Sequence, residues 1–135
     1  MEMSLPTVIF IVLAAIWMGA LQWAVIARRR AKQIAYSHGD DKVLAARIRI
    51  HANAFESLLP FILLLLVADQ IGLWTWVSLP LMALMLIGRG LHPWGMLDPR
   101  SLIVLRMMGM LCSLIAYWAI ILALVVKIVM IAVAG

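Results

Sequence analysis

Arg49-Ile-His-Ala-Asn53-Ala-Phe-Glu56-Ser-Leu-Leu-Pro60 places an arginine, an amide and a carboxylate at i, i+4 and i+7, where a long apolar run begins. At 100° per residue the three side chains fall within an arc of about 60°, one stripe on a helix. Ile50, Ala52, Ala54, Phe55, Leu58 and Leu59 fill the other directions. Charged groups inside a membrane segment cost roughly 2.5–3.5 kcal/mol each on insertion scales, so they seldom face lipid. The stripe is therefore expected to face another helix or a wet cavity, and it is a candidate binding site.

Composition makes lipid the expected solvent. Of 135 residues, 67% are hydrophobic, and the mean hydropathy is +1.11. One compact unit of this length cannot hide so much apolar surface from water. The net charge of +5 raises nucleic acid as a partner. No basic stripe with interleaved aromatics supports that, and the charges sit between apolar blocks, so anionic lipid and membrane orientation account for them better. Cys112 is the only cysteine. No intrachain disulfide can form, thiol-based metal sites are excluded, and a buried thiol of this kind behaves as a small hydrophobe. Any thiol chemistry would arrive with a substrate.

Four apolar blocks follow one another: Leu5 to Ala27, Ala52 to Ala68, Ile71 to Gly88 and Met107 to Val126. Each is about 17–23 residues, near the ~20 that cross a hydrocarbon core, and the second and fourth extend outward through charged ends. The expected fold is an all-α membrane protein, a four-transmembrane-helix bundle forming one domain over residues 1–135. Pro60 and Pro80 lie inside blocks and predict kinks. The N-terminal block has Glu2 before it and Arg28-Arg-Arg30 after it, which reads as an uncleaved anchor rather than a signal peptide. Tyr36-Ser-His-Gly-Asp-Asp41 reads as a solvated loop.

Four spans put the loops at 28–48 and 89–106 on one side. Of the 11 lysines and arginines, only Lys127 lies toward the other. The positive-inside rule makes the charged loops cytoplasmic and both termini external. The membrane would be the inner one in a bacterium and the endoplasmic reticulum in a eukaryote. Trp74, Trp76 and Trp94 fit interfacial belts at opposite faces.

Three polar clusters meet on the charged side: Arg28–Arg30, Arg49/Asn53/Glu56, and Arg89/His92 with Arg106. Together they suit a small anionic ligand that also carries an amine. Arginine forks hold carboxylates, Glu56 can pair with an ammonium, and Asn53 can donate and accept. Plainer readings stand beside this one. Arg28–Arg30, Arg89 and Arg100 can be interfacial anchors that snorkel to headgroups, His92 can cap a helix end, and Arg49 with Glu56 can be a structural ion pair. Anchoring alone does not require Asn53 and Glu56 inside the span. Cys112, Ser113 and Tyr117 on or near one face of the last helix read as bundle packing.

At these residues the chain resembles the MAPEG family, the membrane-associated proteins of eicosanoid and glutathione metabolism. The family signature, Arg-x-x-x-Asn-x-x-Glu followed by proline, stands here as Arg49, Asn53, Glu56 and Pro60. The phrase Arg-Ile-His-Ala-Asn-Ala-Phe-Glu is close to bacterial members, and Gly88-Arg-Gly-Leu-His92 and Arg106 also match the family pattern. The resemblance covers about residues 5–130.

The resemblance implies a left-handed bundle that assembles as a homotrimer, with glutathione between subunits near the cytoplasmic face. Arg49, Asn53 and Glu56 would contact the tripeptide, with His92 among the ligand-binding residues, and Arg28 or Arg29 would hold a carboxylate. Arg106 would be the catalytic residue beside the sulfur. A thiol of pKa about 8.5 is mostly protonated at neutral pH, and a guanidinium nearby lowers it by roughly 1–3 units, giving the nucleophilic thiolate. Eicosanoid-forming members carry tyrosines after helix three, whereas Pro93-Trp-Gly-Met-Leu97 has none. The expected function is a glutathione transferase or peroxidase acting on lipophilic electrophiles. The alternatives are a non-catalytic ligand-binding protein of the same fold and a four-span transporter using Glu56.

Overall fold

The computed structural model describes residues 3–97 and 103–135, and Glu2 and Arg100 lie outside them. Four helices follow in sequence: α1 (Leu5–Lys32), α2 (Lys42–Gln70), α3 (Thr75–Leu97) and α4 (Ile103–Ala134). Antiparallel α3 and α4 form the most extensive helix pair, α1 packs on α2, and α2 bridges to both α3 and α4. Among the described residues α1, α2 and α4 are each long and apolar enough to cross a membrane. In α3, Arg89 and His92 lower the hydropathy, and the helix is held within the bundle by its packing. The expected all-α bundle of four helices is what the chain forms.

The helix ends are set by local chemistry. Ser4 caps α1, its hydroxyl accepting from the Thr7 amide with Pro6 in the first turn, and its own amide donates to Asp69 Oδ2 at 2.8 Å. Asp41 caps α2 with one oxygen, accepting from the Leu44 amide at 3.0 Å. Its other oxygen takes Arg28 Nε and Nη2, each at 2.9 Å. The Leu44 amide first, and the Arg28 hydrogen bond second, hold the Asp41 carboxyl below the usual carboxylate range. Gly72 ends α2 at φ 65°, a conformation glycine adopts freely, and the Leu73 amide reaches back to the Ala68 carbonyl at 2.8 Å.

The helices outrun the apolar blocks that announce them. The loop expected at 28–48 shrinks to residues 33–41, because the basic residues on both sides are helical. Block three is displaced. Ile71–Trp74 form the α2–α3 turn, and α3 continues past Gly88 to Leu97, so Arg89 and His92 sit on a helix and not in a loop. α2 and α3 run on through Pro60, Pro80 and Pro93.

Ile50, Ala54, Leu58, Phe61, Leu65 and Ala68 recur at three- and four-residue steps and bury one face of α2. Phe61 meets Phe10 of α1 with ring centroids 5.4 Å apart, and Met82, Met85, Ala116, Ile120 and Leu124 complete the core. Outside it the helices are studded with exposed Ile, Leu, Val and Met, a surface fit for lipid or for other copies of the chain. Trp74 and Trp76 stack at 5.9 Å at one end of the bundle, with Lys127 Nζ 4.8 Å from the Trp74 ring centroid. Exposed Trp94 stands at the opposite, basic end.

The α3–α4 contact is made by backbone. A Cβ on Gly109 would lie 2.7 Å from the His92 nitrogen and 2.8 Å from the Gly88 carbonyl oxygen. One on Gly95 would meet the Arg106 backbone, and one on Gly88 would overlap the Ser113 hydroxyl. Small residues thus let the two helices approach closely, as is common where helices associate in membranes.

Candidate functional site

Close approach of α3 to α4 turns Arg89 inward. It is 5% exposed, against the interfacial position expected of it from the sequence. The physical reason is helix continuation: Arg89 follows Gly88 on the face that meets Gly109 and Ser113. Its guanidinium donates from Nε to Ser113 Oγ at 2.8 Å and from Nη2 to the Gly109 carbonyl at 3.3 Å. From Nη1 it donates to Ser57 Oγ at 2.9 Å and to the Asn53 carbonyl at 3.1 Å. One side chain on α3 therefore ties α2 to α4. All four acceptors are neutral, and among the described residues the only ion pair is Arg28–Asp41. Such a charge, compensated by dipoles alone within an apolar bundle, marks a functional site by default.

Beside Arg89 a cavity of about 450 Å³ opens between α2 and α4, with α3 behind it. Asn53, Glu56 and Ser57 form one wall, and Arg89 and His92 the back. Met107, Met110, Leu111, Leu114 and Tyr117 make an apolar wall on α4, extended by Met85 of α3. The volume is that of a small-molecule site, and few polar groups in an apolar lining is the usual pattern of one. Methionine thioethers adapt to irregular ligand shapes.

The predicted residues separate into three groups. Asn53, Glu56 and His92 come together in the cavity. Glu56 is exposed, Asn53 half-buried, and His92 3% exposed, so His92 is a buried cavity wall and not a helix cap. Arg49 is exposed, one turn before Asn53 toward the basic end, and Arg106 is exposed on α4 where its backbone packs on Gly95; neither lines the cavity of the single chain. Arg28 is engaged by Asp41 and lies apart from the cavity. Arg29 is half-buried, and its Nη1 has no hydrogen-bond partner among the described residues.

Sequence reasoning passed over Ser57, read Ser113 and Tyr117 as bundle packing where they line the cavity, and gave Arg89 no place inside the bundle. Ser57 lies four residues after Asn53, and Ser113 and Tyr117 are four apart on α4, so helical spacing carried a faint signal for all three.

The four-helix architecture and its apolar helices agree with a comparison at the level of sequence. A family model described as the MAPEG family matches residues 7–126, nearly the whole chain. No curated protein and no solved structure gives a match. The chain belongs to the MAPEG family and is an integral membrane protein of the kind generally associated with glutathione and eicosanoid metabolism.

Proposed function

We propose that the protein binds glutathione in the cavity beside Arg89 and activates its thiol for attack on lipophilic electrophiles, as a transferase or peroxidase. The observation that carries the reading is the convergence of Asn53, Glu56, Arg89 and His92 on a cavity whose remaining wall is methionine and leucine. Glutathione offers two carboxylates, one ammonium and one thiol. Glu56 suits the ammonium and Arg49 a carboxylate at the mouth, with Arg28 or Arg29 for the second carboxylate where copies of the chain meet as a homotrimer. The methionine and leucine wall suits an electrophile arriving from lipid. Two guanidinium groups are available to ionise the thiol: Arg106, to which the family resemblance points, and Arg89. The basic end is the cytoplasmic one on this reading, because anionic lipid and the positive-inside bias both favour it, and in a bacterium the membrane is the inner one.

A second reading keeps the site and drops the reaction, and the absence of tyrosine from residues 93–97 favours it. Incubation of the purified protein with glutathione and a panel of lipophilic electrophiles separates the two. Conjugate or reduced product formed at rates well above the uncatalysed ones is the expected result. Saturable glutathione binding with no product from any electrophile would leave the binding protein as the function.

A further inference from the structure

We infer that Ser57, gripped by Arg89, positions the Glu56 carboxylate for the ligand's ammonium. The inference rests on the glutathione reading above and deepens it, by assigning what sets the strength of that one contact. Ser57 is a positioning residue here, acting through the backbone of α2 and not on the reacting atoms.

The turn that carries Glu56 is weak by its sequence. Pro60 has no amide hydrogen to offer the Glu56 carbonyl four residues before it, so α2 runs on with that helical bond missing. Just ahead of it, Ser57 Oγ donates to the Asn53 carbonyl at 2.7 Å, a back-bond of the kind that bends helices. Asn53, Glu56 and Ser57 thus stand on a stretch of α2 that is easily bent. Among the described residues of the chain no cation pairs with Glu56, so within the chain its helix sets where the carboxylate stands.

Arg89 restrains this stretch from outside α2. Its Nη1 donates to Ser57 Oγ at 2.9 Å and to the Asn53 carbonyl at 3.1 Å. The same rigid, planar guanidinium is fixed to α4 through the Ser113 hydroxyl and the Gly109 carbonyl. α4 is in turn locked on α3, where a Cβ on Gly88 or Gly109 would find no room. The α2 turn is therefore registered against the two helices that carry His92 and the methionine wall of the same cavity. Every one of these bonds lies within one chain, so the clamp holds however copies meet around the ligand. Ser57 is its joint, because it neighbours Glu56 in sequence and takes part in both the back-bond and the Arg89 bond. A carboxylate held in place before the ligand arrives spares the cost of ordering it on binding.

Ser57→Ala opens the clamp mildly, since Arg89 Nη1 keeps the Asn53 carbonyl and the fold is expected to persist. Ser57→Thr keeps the hydroxyl. Calorimetric titration of the parent and both variants uses two probes: glutathione, and glutaryl-cysteinyl-glycine, the same tripeptide without its amine. The parent should bind glutathione the more tightly of the two. Ser57→Ala should weaken glutathione roughly tenfold, the scale of one hydrogen bond. Its affinity for glutaryl-cysteinyl-glycine should stay within about twofold of the parent's, the ordinary scatter of independent changes. Ser57→Thr should bind both probes as the parent does. Ser57→Ala that binds glutathione like the parent overturns the inference, as does Ser57→Thr as weak as Ser57→Ala. Equal weakening of both probes also overturns it, since a direct contact or a general loss of packing does not single out the ammonium. Binding of neither probe by the folded parent overturns the glutathione reading itself, and the inference with it.

Discussion

Gly109→Ala is expected to destabilise the protein by on the order of 1–3 kcal/mol, the cost of overpacking a filled contact. The added methyl would lie 2.7 Å from the His92 nitrogen and 2.8 Å from the Gly88 carbonyl oxygen. Both neighbours are backbone atoms, so no rotamer change relieves the overlap and the helices must move apart. Separation of α3 from α4 also lengthens the Arg89 bonds to the Gly109 carbonyl and Ser113 hydroxyl, which now measure 3.3 and 2.8 Å. Damage should therefore spread from the hairpin to the cavity and lower ligand binding together with stability. Gly90→Ala is the matched control. Nothing lies within 4 Å of a Cβ at Gly90, and alanine gains up to about 1 kcal/mol over glycine in a helix. Thermal unfolding of the two variants in detergent should place Gly109→Ala well below the parent and Gly90→Ala at or above it. Equal midpoints for the two would show that the close approach of α3 and α4 does not limit stability.

Arg89→Met is expected to preserve the fold and to show what this charge adds to the chemistry. Each acceptor that the guanidinium leaves has another partner. Ser57 Oγ donates to the Asn53 carbonyl at 2.7 Å, and Ser113 Oγ donates to the Gly109 carbonyl at 2.9 Å. Loss of four hydrogen bonds, each worth about 1 kcal/mol net, is offset in part by removal of a costly buried charge. Stability in detergent should therefore fall by no more than a few kcal/mol. On the reading in which Arg89 is the guanidinium that ionises the bound thiol, conjugation near pH 7 should fall on the order of 10–100-fold, since a thiol pKa restored by about 2 units leaves only a few per cent thiolate. Raising the pH above about 8.5 should recover much of the loss by ionising the thiol without help. A variant that unfolds would make Arg89 a structural keystone, and one with the parent's rate and pH profile would remove it from the chemistry.

The helices were legible because apolar run length is a one-dimensional property. Leu5 to Ala27 and Met107 to Val126 mark α1 and α4 directly, and Asp41 before α2 is an ordinary N-cap residue. The end of α3 was not legible in the same way. Hydropathy falls at Arg89 whether the chain leaves the membrane there or turns a charge into the bundle, and only the small residues facing it distinguish the two. Gly88, Gly109 and Ser113 are scattered in sequence, and their meeting depends on how α3 docks on α4. The cavity shows the same division. Asn53 and Glu56 were visible as one stripe of one helix. Ser57, Ser113 and Tyr117 join them only through contact between helices, and each alone resembles packing. Arg28 illustrates the converse, since a cation at a helix end looks free to hold a ligand until the chain folds back and offers it Asp41.

Calorimetric titration of the detergent-purified, folded protein with glutathione, beside Arg49→Ala and Glu56→Ala, tests the central claim most directly. Saturable binding by the parent that fails in both variants is the predicted result, because the proposed function gives those two side chains the carboxylate and the ammonium at opposite ends of the stripe. No binding by the parent, or binding that both variants keep undiminished, would contradict the account and leave the cavity beside Arg89 to a different ligand.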